Sequence, residues 1–339
     1  MEINLETLNQ VLCQKFHKTI VSADYRLNEI QAGSVGEVRL ITGTAETNAN
    51  ETIPYKIVLK IQKKWNRQGD FDSWRREYDL YSSGIEALFT DSIRRPKCYH
   101  AEINDFETRL WLEYIDGVTA LDLSCEMYER VATELGRFQG MLYSRPSGQL
   151  SGLVNLSKTD ASKNAYLYFK SLSGVYDYIR SAGCEIPKHL CEMLIETDNN
   201  AEDIWNRIFE LPVVFCHRDP FVWNVFVTDD AVTYIDWDSA GWGYMGEDIV
   251  NLLADSADIE NIVEYYRKCV PAYQKGFAER SNISYISNIY TIERIIMHFG
   301  YRLVEGFKLA RSSDERTRHL DTLQRFYEIK NHELLSPLS

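Results

Sequence analysis

His217-Arg-Asp219 is followed five residues after the aspartate by Asn224, and twelve residues further on by Asp236, at the end of an apolar run. Moving a phosphoryl group onto an alcohol calls for this set of groups. One carboxylate must meet the acceptor hydroxyl, while an amide oxygen and a second carboxylate hold Mg²⁺ against the phosphates. Asp219 stands where the first is needed, as the catalytic base; Asn224 and Asp236 stand where the metal ligands are needed. Between them, Val225-Phe-Val-Thr228 and Val232-Thr-Tyr-Ile235 are short strand-like runs around Asp229-Asp-Ala231, a turn-forming tripeptide. A hairpin there would bring Asn224 and Asp236 side by side. A surface hairpin with incidental polar ends is the plainer alternative, but it leaves the register of three motifs unexplained.

The segment resembles the aminoglycoside phosphotransferase and choline kinase-like superfamily of small-molecule kinases more than the protein kinases. The resemblance is carried by H-x-D-x-x-x-x-N, by Tyr234-Ile-Asp-Trp237, and by the path through Ser239-Ala-Gly-Trp-Gly243 to Gly246-Glu-Asp-Ile-Val250. Only eleven residues separate Asp236 from Asp248, too few for a protein-kinase activation segment, and nothing after them reads A-P-E. Two features depart from the family pattern. Arg218 stands where the antibiotic kinases usually have glycine, and Pro220-Phe221 replaces the common leucine-histidine. In protein kinases this arginine pairs with a phosphorylated loop. With no such loop here, Arg218 is expected either to pair locally, with Glu247 or Asp248, or to stay a solvated charge beside the loop.

The elements that must position these groups follow from periodicity. Residues 5–18 have helical apolar spacing. Strand signals then dominate at Tyr25–Ile30, Val38–Thr42 and Tyr55–Gln62, with the polar, aperiodic Thr44–Thr52 between the last two read as a mobile loop. A helix is expected around Phe71–Ser82, and strands near Lys97–Ile103 and Thr108–Ile115. From Leu121 onward the pattern is helical outside the catalytic segment, over 122–144, 160–181, 188–209, 258–278, 283–311 and 313–334. A β-rich third followed by a helical remainder is an α+β arrangement. The resemblance, over roughly residues 22–310, makes it the protein-kinase-like bilobal fold. The expected lobes are 1–115, which binds nucleotide, and 116–339, which carries the catalytic loop and the acceptor site.

The resemblance also implies a nucleotide site in the first lobe. In Tyr55-Lys-Ile-Val-Leu-Lys-Ile-Gln62, alternation puts Tyr55, Ile57, Leu59 and Ile61 on one face, so Lys60 projects from the other. A lysine on the third strand is where kinases meet the α- and β-phosphates, usually fixed by a glutamate on the next helix. Glu77 is the candidate. Gly33-Ser-Val-Gly36 would serve as a short phosphate-facing loop through Ser34, Gly36 and backbone N–H groups. Glu113 and Ile115, in the strand and linker Leu110–Gly117, would offer the adenine a backbone carbonyl and N–H.

Composition narrows the partners. The 339 residues carry 45% apolar and 26% charged residues and a net charge of −13, which disfavours nucleic acid and suits a cationic substrate. No run approaches the roughly 20 apolar residues needed to span a bilayer, so no membrane contact is expected. The start MEINLETLNQVL lacks the pattern of a signal peptide, and seven cysteines without C-x-x-C spacing point to reduced thiols in a cytoplasm. Cys216, beside the catalytic loop, reads as a small buried residue at a strand end.

The expectation is therefore a phosphotransferase using Mg²⁺ and ATP or GTP on a hydroxyl of a small, cationic molecule, with an aminoglycoside-type antibiotic, and hence resistance, favoured. Choline, ethanolamine, homoserine or another sugar or amino alcohol is the alternative acceptor. The acceptor would lie near Asp238, Trp242, Glu247 and Glu293, with Trp237, Trp242 and Tyr244 as an aromatic wall. A nucleotide-binding pseudokinase is the rival of another class, disfavoured because Lys60, Asp219, Asn224 and Asp236 are all present.

Overall fold

The computed structural model describes residues 3–30, 36–67, 70–83, 89, 93–145, 153, 155–172, 174–254, 260–283 and 289–335. They fall into two compact units, Met1–Gly117 with Ser147–Leu156 and Thr233–Ser239, and Val118–Pro146 with Ser157–Val232 and Ala240–Ser339.

The first unit begins with α1 (Leu5–Phe16), which the Asn4 side chain caps by accepting from the Glu6 and Thr7 N–H groups. Strands β1 (Ile20–Ala23), β2 (Arg26–Ile30), β3 (Glu37–Thr47) and β4 (Thr52–Lys63) follow, then α2 (Ser73–Ser82), β5 (Ile93–Arg94), β6 (Cys98–Ile103) and β7 (Glu107–Glu113). The main sheet runs β1-β3-β4-β7-β6, with β2 also paired to β3. Tyr55, Ile57, Leu59 and Ile61 of β4 share a core with Leu8, Val11 and Leu12 of α1, so the apolar stripe of the helix covers one face of the sheet. Lys60 therefore lies on the opposite face, between Val38 of β3 and Leu110 of β7.

The sequence reading of Thr44–Thr52 as a mobile loop is corrected. β3 and β4 continue as a paired hairpin through Glu46↔Thr52, leaving a turn at residues 48–51. Ala45 and Thr47 are buried, and the Thr47 hydroxyl accepts from the Ala49 and Glu51 N–H groups. Polar side chains hid a strand whose alternate residues face the core. Gly36 lies at φ +108, and a Cβ there would sit 2.6 Å from the Ile61 carbonyl oxygen. Only glycine lets the chain enter β3 this close to β4.

The second unit holds β8 (Val118–Thr119), α3 (Cys125–Tyr143), α4 (Ala161–Leu172), α5 (Val175–Arg180), α6 (Lys188–Asn199), α7 (Ala201–Ile208), β9 (Val213–Cys216) and β10 (Val225–Val227). After β11 (Val232–Tyr234), whose last two residues belong to the first unit, come β12 (Gly241–Tyr244), α8 (Glu247–Ala254), α9 (Ile262–Arg280), α10 (Thr291–Leu309) and α11 (Ser313–Leu335). The stretches 160–181 and 188–209, each read as one helix, are two helices apiece. Gly174 leads α5, and Asn200 leaves helical geometry between α6 and α7. α3 packs along α9, where Tyr128 stacks on Tyr265 with ring centres 4.4 Å apart. Tyr166, Ile204, Trp205, Ile208 and Met297 form a further cluster. Among the described residues, no helix is long and apolar enough to cross a membrane.

Candidate active site

In the first unit, Lys60 Nζ lies 2.5 Å from Glu77 Oε2 and 2.6 Å from Asp236 Oδ1. Burial alone would lower the ammonium's pKa, but Asp236 and Glu77 outweigh it and hold Lys60 well above its ordinary value, so it stays charged. Burial pushes the Glu77 carboxyl up, against the pull of Lys60. Glu77 Oε1 also accepts from the Trp237 N–H at 3.3 Å, tying α2 to the residue after Asp236. Asp236 sits in the left-handed region at φ +64, a conformation aspartate tolerates better than most residues. One buried ammonium thus bridges two carboxylates.

In the second unit, β9 pairs with β12 (Phe215↔Trp242, Cys216↔Gly241) and delivers the chain into His217-Arg-Asp219. The Asp219 N–H meets His217 Nδ1 at 3.2 Å. A one-turn 3₁₀ helix, Val222–Asn224, then returns Asn224 so that its amide donates to the Asp219 carbonyl at 2.9 Å and to Asp219 Oδ2 at 3.1 Å. This turns the amide nitrogen toward Asp219 and leaves the carbonyl oxygen as the atom that could meet a cation. β10 pairs with β8, and Thr228 N donates to Ala231 O across the turn that the sequence placed at 229–231.

Asp248 lies beneath this loop. Its Oδ1 accepts from the Arg218 N–H and its Oδ2 from the His217 N–H, both at 2.8 Å, and the Gln139 amide donates to Oδ2 at 2.9 Å. Tyr273 donates to Gln139 and accepts from the Gly246 N–H, closing a buried network between α3, α8 and α9. Burial pushes the Asp248 carboxyl up to about 7, outweighing the two backbone donors. Arg218 stands at φ +68, and left-handed backbone at a non-glycine residue costs about 1–3 kcal/mol. Its Nε meets Glu247 Oε1 at 2.7 Å, the local pairing the sequence suggested. Cys216 is fully buried, with its thiol pushed far up by burial, as suits a packing residue.

The residues expected around the acceptor and the nucleotide are placed as follows. Asp238, expected among acceptor-binding carboxylates, is buried and forked by Arg67 at 2.7 and 3.0 Å, so its charge is already matched within the first unit. Glu247, expected in the same role, is buried against Arg218 and also accepts from Ser162 at 2.7 Å. Trp237, expected in an aromatic wall, is 2% exposed; it packs edge-on against Phe89 and donates to the Tyr234 carbonyl. Trp242 and Tyr244 are partly buried in β12 against Phe215 and Phe209, and Glu293 is partly buried in the first turn of α10, its carboxyl raised by burial. The Glu113 side chain accepts from Arg94 and the Lys97 N–H, and the Ile115 side chain is buried, which leaves the backbone groups expected to face adenine as a separate matter. Gly33 and Ser34 lie outside the described residues.

Arg67, Arg76, Ser157 and Asn251 went unnoticed in the sequence. Arg76, 2% exposed, donates to the Asp238 and Asn155 carbonyls and forks Asp70. Nothing in its local pattern separates it from a surface helix arginine.

The donor types suit a hard divalent cation. The Asn224 amide oxygen in the second unit and the Asp236 carboxylate in the first are each, by type, oxygen ligands of the kind Mg²⁺ takes. Among the described residues no cluster of three or more His, Cys, Asp or Glu side chains could cage a metal unaided, as a zinc site would need.

Residues 94–280, over half the chain, match the model of APH, the phosphotransferase enzyme family, and the chain belongs to that family. It is a small-molecule phosphotransferase. Among solved structures, choline kinase from Cryptosporidium parvum Iowa II is similar over 97% of this chain and 96% of its own, at 15% identity and a TM-score of 0.55. Amicoumacin kinase hAmiN, in complex with AMP-PNP, Ca²⁺ and Ami, matches over 92% and 90% at 14% identity and TM-score 0.51. A thermostable mutant of aminoglycoside phosphotransferase APH(4)-Ia, with ADP and hygromycin B, matches over 95% and 98% at 13% identity and TM-score 0.51. At these identities the likeness is one of fold, the α+β fold of protein-kinase-like small-molecule kinases. No curated protein sequence matches the chain.

Proposed function

We propose that the chain transfers the terminal phosphoryl group of ATP or GTP to a hydroxyl of a small amine, with aminoglycosides first among the acceptors and choline-like amino alcohols second. Residues 1–115 would serve as the nucleotide lobe, with Gly36, Ser34 and the Glu113–Ile115 backbone around the nucleotide, and 116–339 as the acceptor lobe. The observation that carries this reading is Lys60, a buried cation held by Glu77 and Asp236 on the strand face that α1 does not cover. Lys60 would bind the α- and β-phosphates, with Glu77 fixing its direction. Asn224 and Asp236 would hold Mg²⁺, which when bound neutralises phosphate charge. Asp219 would orient the acceptor hydroxyl and take its proton as the oxygen–phosphorus bond forms and the bond to the departing nucleoside diphosphate breaks.

The amine is supported by the net charge of −13, which would draw a cation toward the protein. The test is coupled ADP or GDP release across aminoglycosides, choline, ethanolamine and homoserine, with nucleotide-only controls. At least one amine should raise turnover well above the nucleotide-only rate, and its KM should climb with salt while the nucleotide KM moves less. Release that no acceptor stimulates would favour the pseudokinase reading; a salt-insensitive acceptor KM would remove the cation.

A further inference from the structure

We propose that Arg218 is a positioning residue that fixes the loop bearing Asp219, with Glu247 of the same chain as its permanent counter-charge; the proposal rests on Asp219 acting as the base.

Five polar groups of Arg218 are engaged. Its N–H donates to Asp248 Oδ1 at 2.8 Å, and its carbonyl accepts from Asn251 Nδ2 at 2.9 Å. In the guanidinium, Nε donates to Glu247 Oε1, Nη1 to Ser157 Oγ, and Nη2 to the carbonyls of Lys158 (2.7 Å) and Trp242 (2.5 Å). The residue before Asp219 is thereby tied to α8, to β12 and to the 157–158 segment at once. The planar fork suits this work, since its donors leave in fixed directions where an ammonium would be a single point charge.

The backbone gives a second, independent reason. At φ +68 glycine would be relaxed and arginine is strained, so the side chain must hold what the backbone resists. Glu247 is equally constrained. Ser162 donates to its Oε1 and the Tyr244 N–H approaches its Oε2, while a Cβ on Gly243 would come within 2.3 Å of that Oε2. The Arg218 and Glu247 side chains are 8% and 9% exposed, so water screens the pair little and neither partner is placed to greet a diffusing substrate. Burial would lower the pKa of Arg218, and the negative groups around it, Glu247 foremost, together more than offset it. What the clamp sets is the direction of the next residue, Asp219, on which proton removal and acceptor alignment depend. A charge built into the chain means that no covalent modification is needed to order the loop.

The test compares wild type with Arg218→Gly, Arg218→Lys, Glu247→Gln and the Arg218→Gly/Glu247→Gln double variant, with Asp219→Ala as control. ADP release would be followed with ATP, Mg²⁺ and the fastest acceptor of the panel above, with water as acceptor setting the floor. Arg218→Gly should lower kcat by about 10- to 100-fold, because a loop misplaced by an ångström loses that much. The KM for ATP should stay within about twofold, since the clamp touches no nucleotide group proposed here. The double variant should be no slower than the slower single one, because the two residues act as one unit. Millimolar guanidinium should restore part of the turnover of Arg218→Gly, a rescue that a misfolded protein would not show. If Arg218→Gly fails to fold, Arg218→Lys and Glu247→Gln should still show the same split, a reduced kcat at a near-constant ATP KM.

A wild-type kcat in folded Arg218→Gly, beside an inactive Asp219→Ala, would overturn the clamp alone. A Glu247→Gln effect confined to the acceptor KM would overturn it too, returning Glu247 to the substrate. Undiminished turnover in Asp219→Ala would remove the base and the clamp with it.

Discussion

The Lys60 and Asp219 neighbourhoods solve opposite problems. Around Lys60 the interactions are charge on charge, an ammonium between Glu77 and Asp236, with Arg67 forking Asp238 nearby in the chain. Around Asp219 the donors are a neutral amide from Asn224 and the N–H groups that Asp248 collects, and the Arg218–Glu247 pair stands one residue away. Under the proposed function, the first arrangement would hold charge for a polyanion. The second stores shape, holding a carboxylate in a set direction. Substitutions in the first should therefore be read in nucleotide affinity, and those in the second in turnover or in stability.

The largest expected effect is on the charged side. Lys60→Ala should weaken nucleotide binding by about 10- to 100-fold and destabilise the first unit by about 3 kcal/mol, because it leaves two carboxylates facing each other without their cation. Fluorescence titration with a nucleotide analogue and urea denaturation read the two effects, and unchanged affinity would place the phosphates elsewhere. A smaller effect should come from Gly243→Ala, whose Cβ would fall 2.3 Å from Glu247 Oε2 and 2.8 Å from Cys216 Sγ. Overpacking of this kind costs about 1–3 kcal/mol. The loss should appear in the melting temperature together with a lower kcat, and a neutral variant would show that the strand has room to yield.

The smallest concerns pH. The Asp248 carboxyl titrates near 3.8 in a free chain and is pushed up to about 7 by burial in the fold. Between these values the folded state keeps a proton that the unfolded state has released, so this group's contribution to stability is full below about pH 4 and declines as pH rises toward 7. Asp248→Asn removes that slope. Its urea midpoint should therefore draw closer to the wild-type value as pH climbs from 5 to 7, and parallel midpoint curves would show that Asp248 is ionised throughout.

The two regions also differ in how far they could be read from the sequence. Asp219 and Asn224 are five residues apart, so the spacing singled both out, while the hydrogen bond between them is visible only in the folded loop. Lys60 was legible because Tyr55, Ile57, Leu59 and Ile61 alternate strictly, which sends the lysine to the other face whatever the strand's partners. Charges whose partners are distant were not legible in this way. Asp238 looks like a free carboxylate until Arg67, 171 residues away, supplies its fork. Glu247 looks the same until Arg218 and Ser162 reach it from 29 and 85 residues away. A sequence displays charge but not the partner that neutralises it, and that partner decides whether a carboxylate serves a substrate or the fold. The Thr44–Thr52 hairpin was missed for a related reason. Its strand character rests on cross-strand pairing and on the burial of Ala45 and Thr47, not on the polarity of the segment.

The division between a nucleotide-holding set and a turnover set is tested most directly by Asp219→Ala, measured on one preparation for both properties. Calorimetric titration with AMP-PNP in Mg²⁺ should give an affinity within about twofold of wild type, while turnover with the best acceptor falls by roughly 10² or more, the scale of general-base and positioning work. Turnover within threefold of wild type would contradict the assignment of Asp219, and a parallel loss of nucleotide affinity would contradict the division itself.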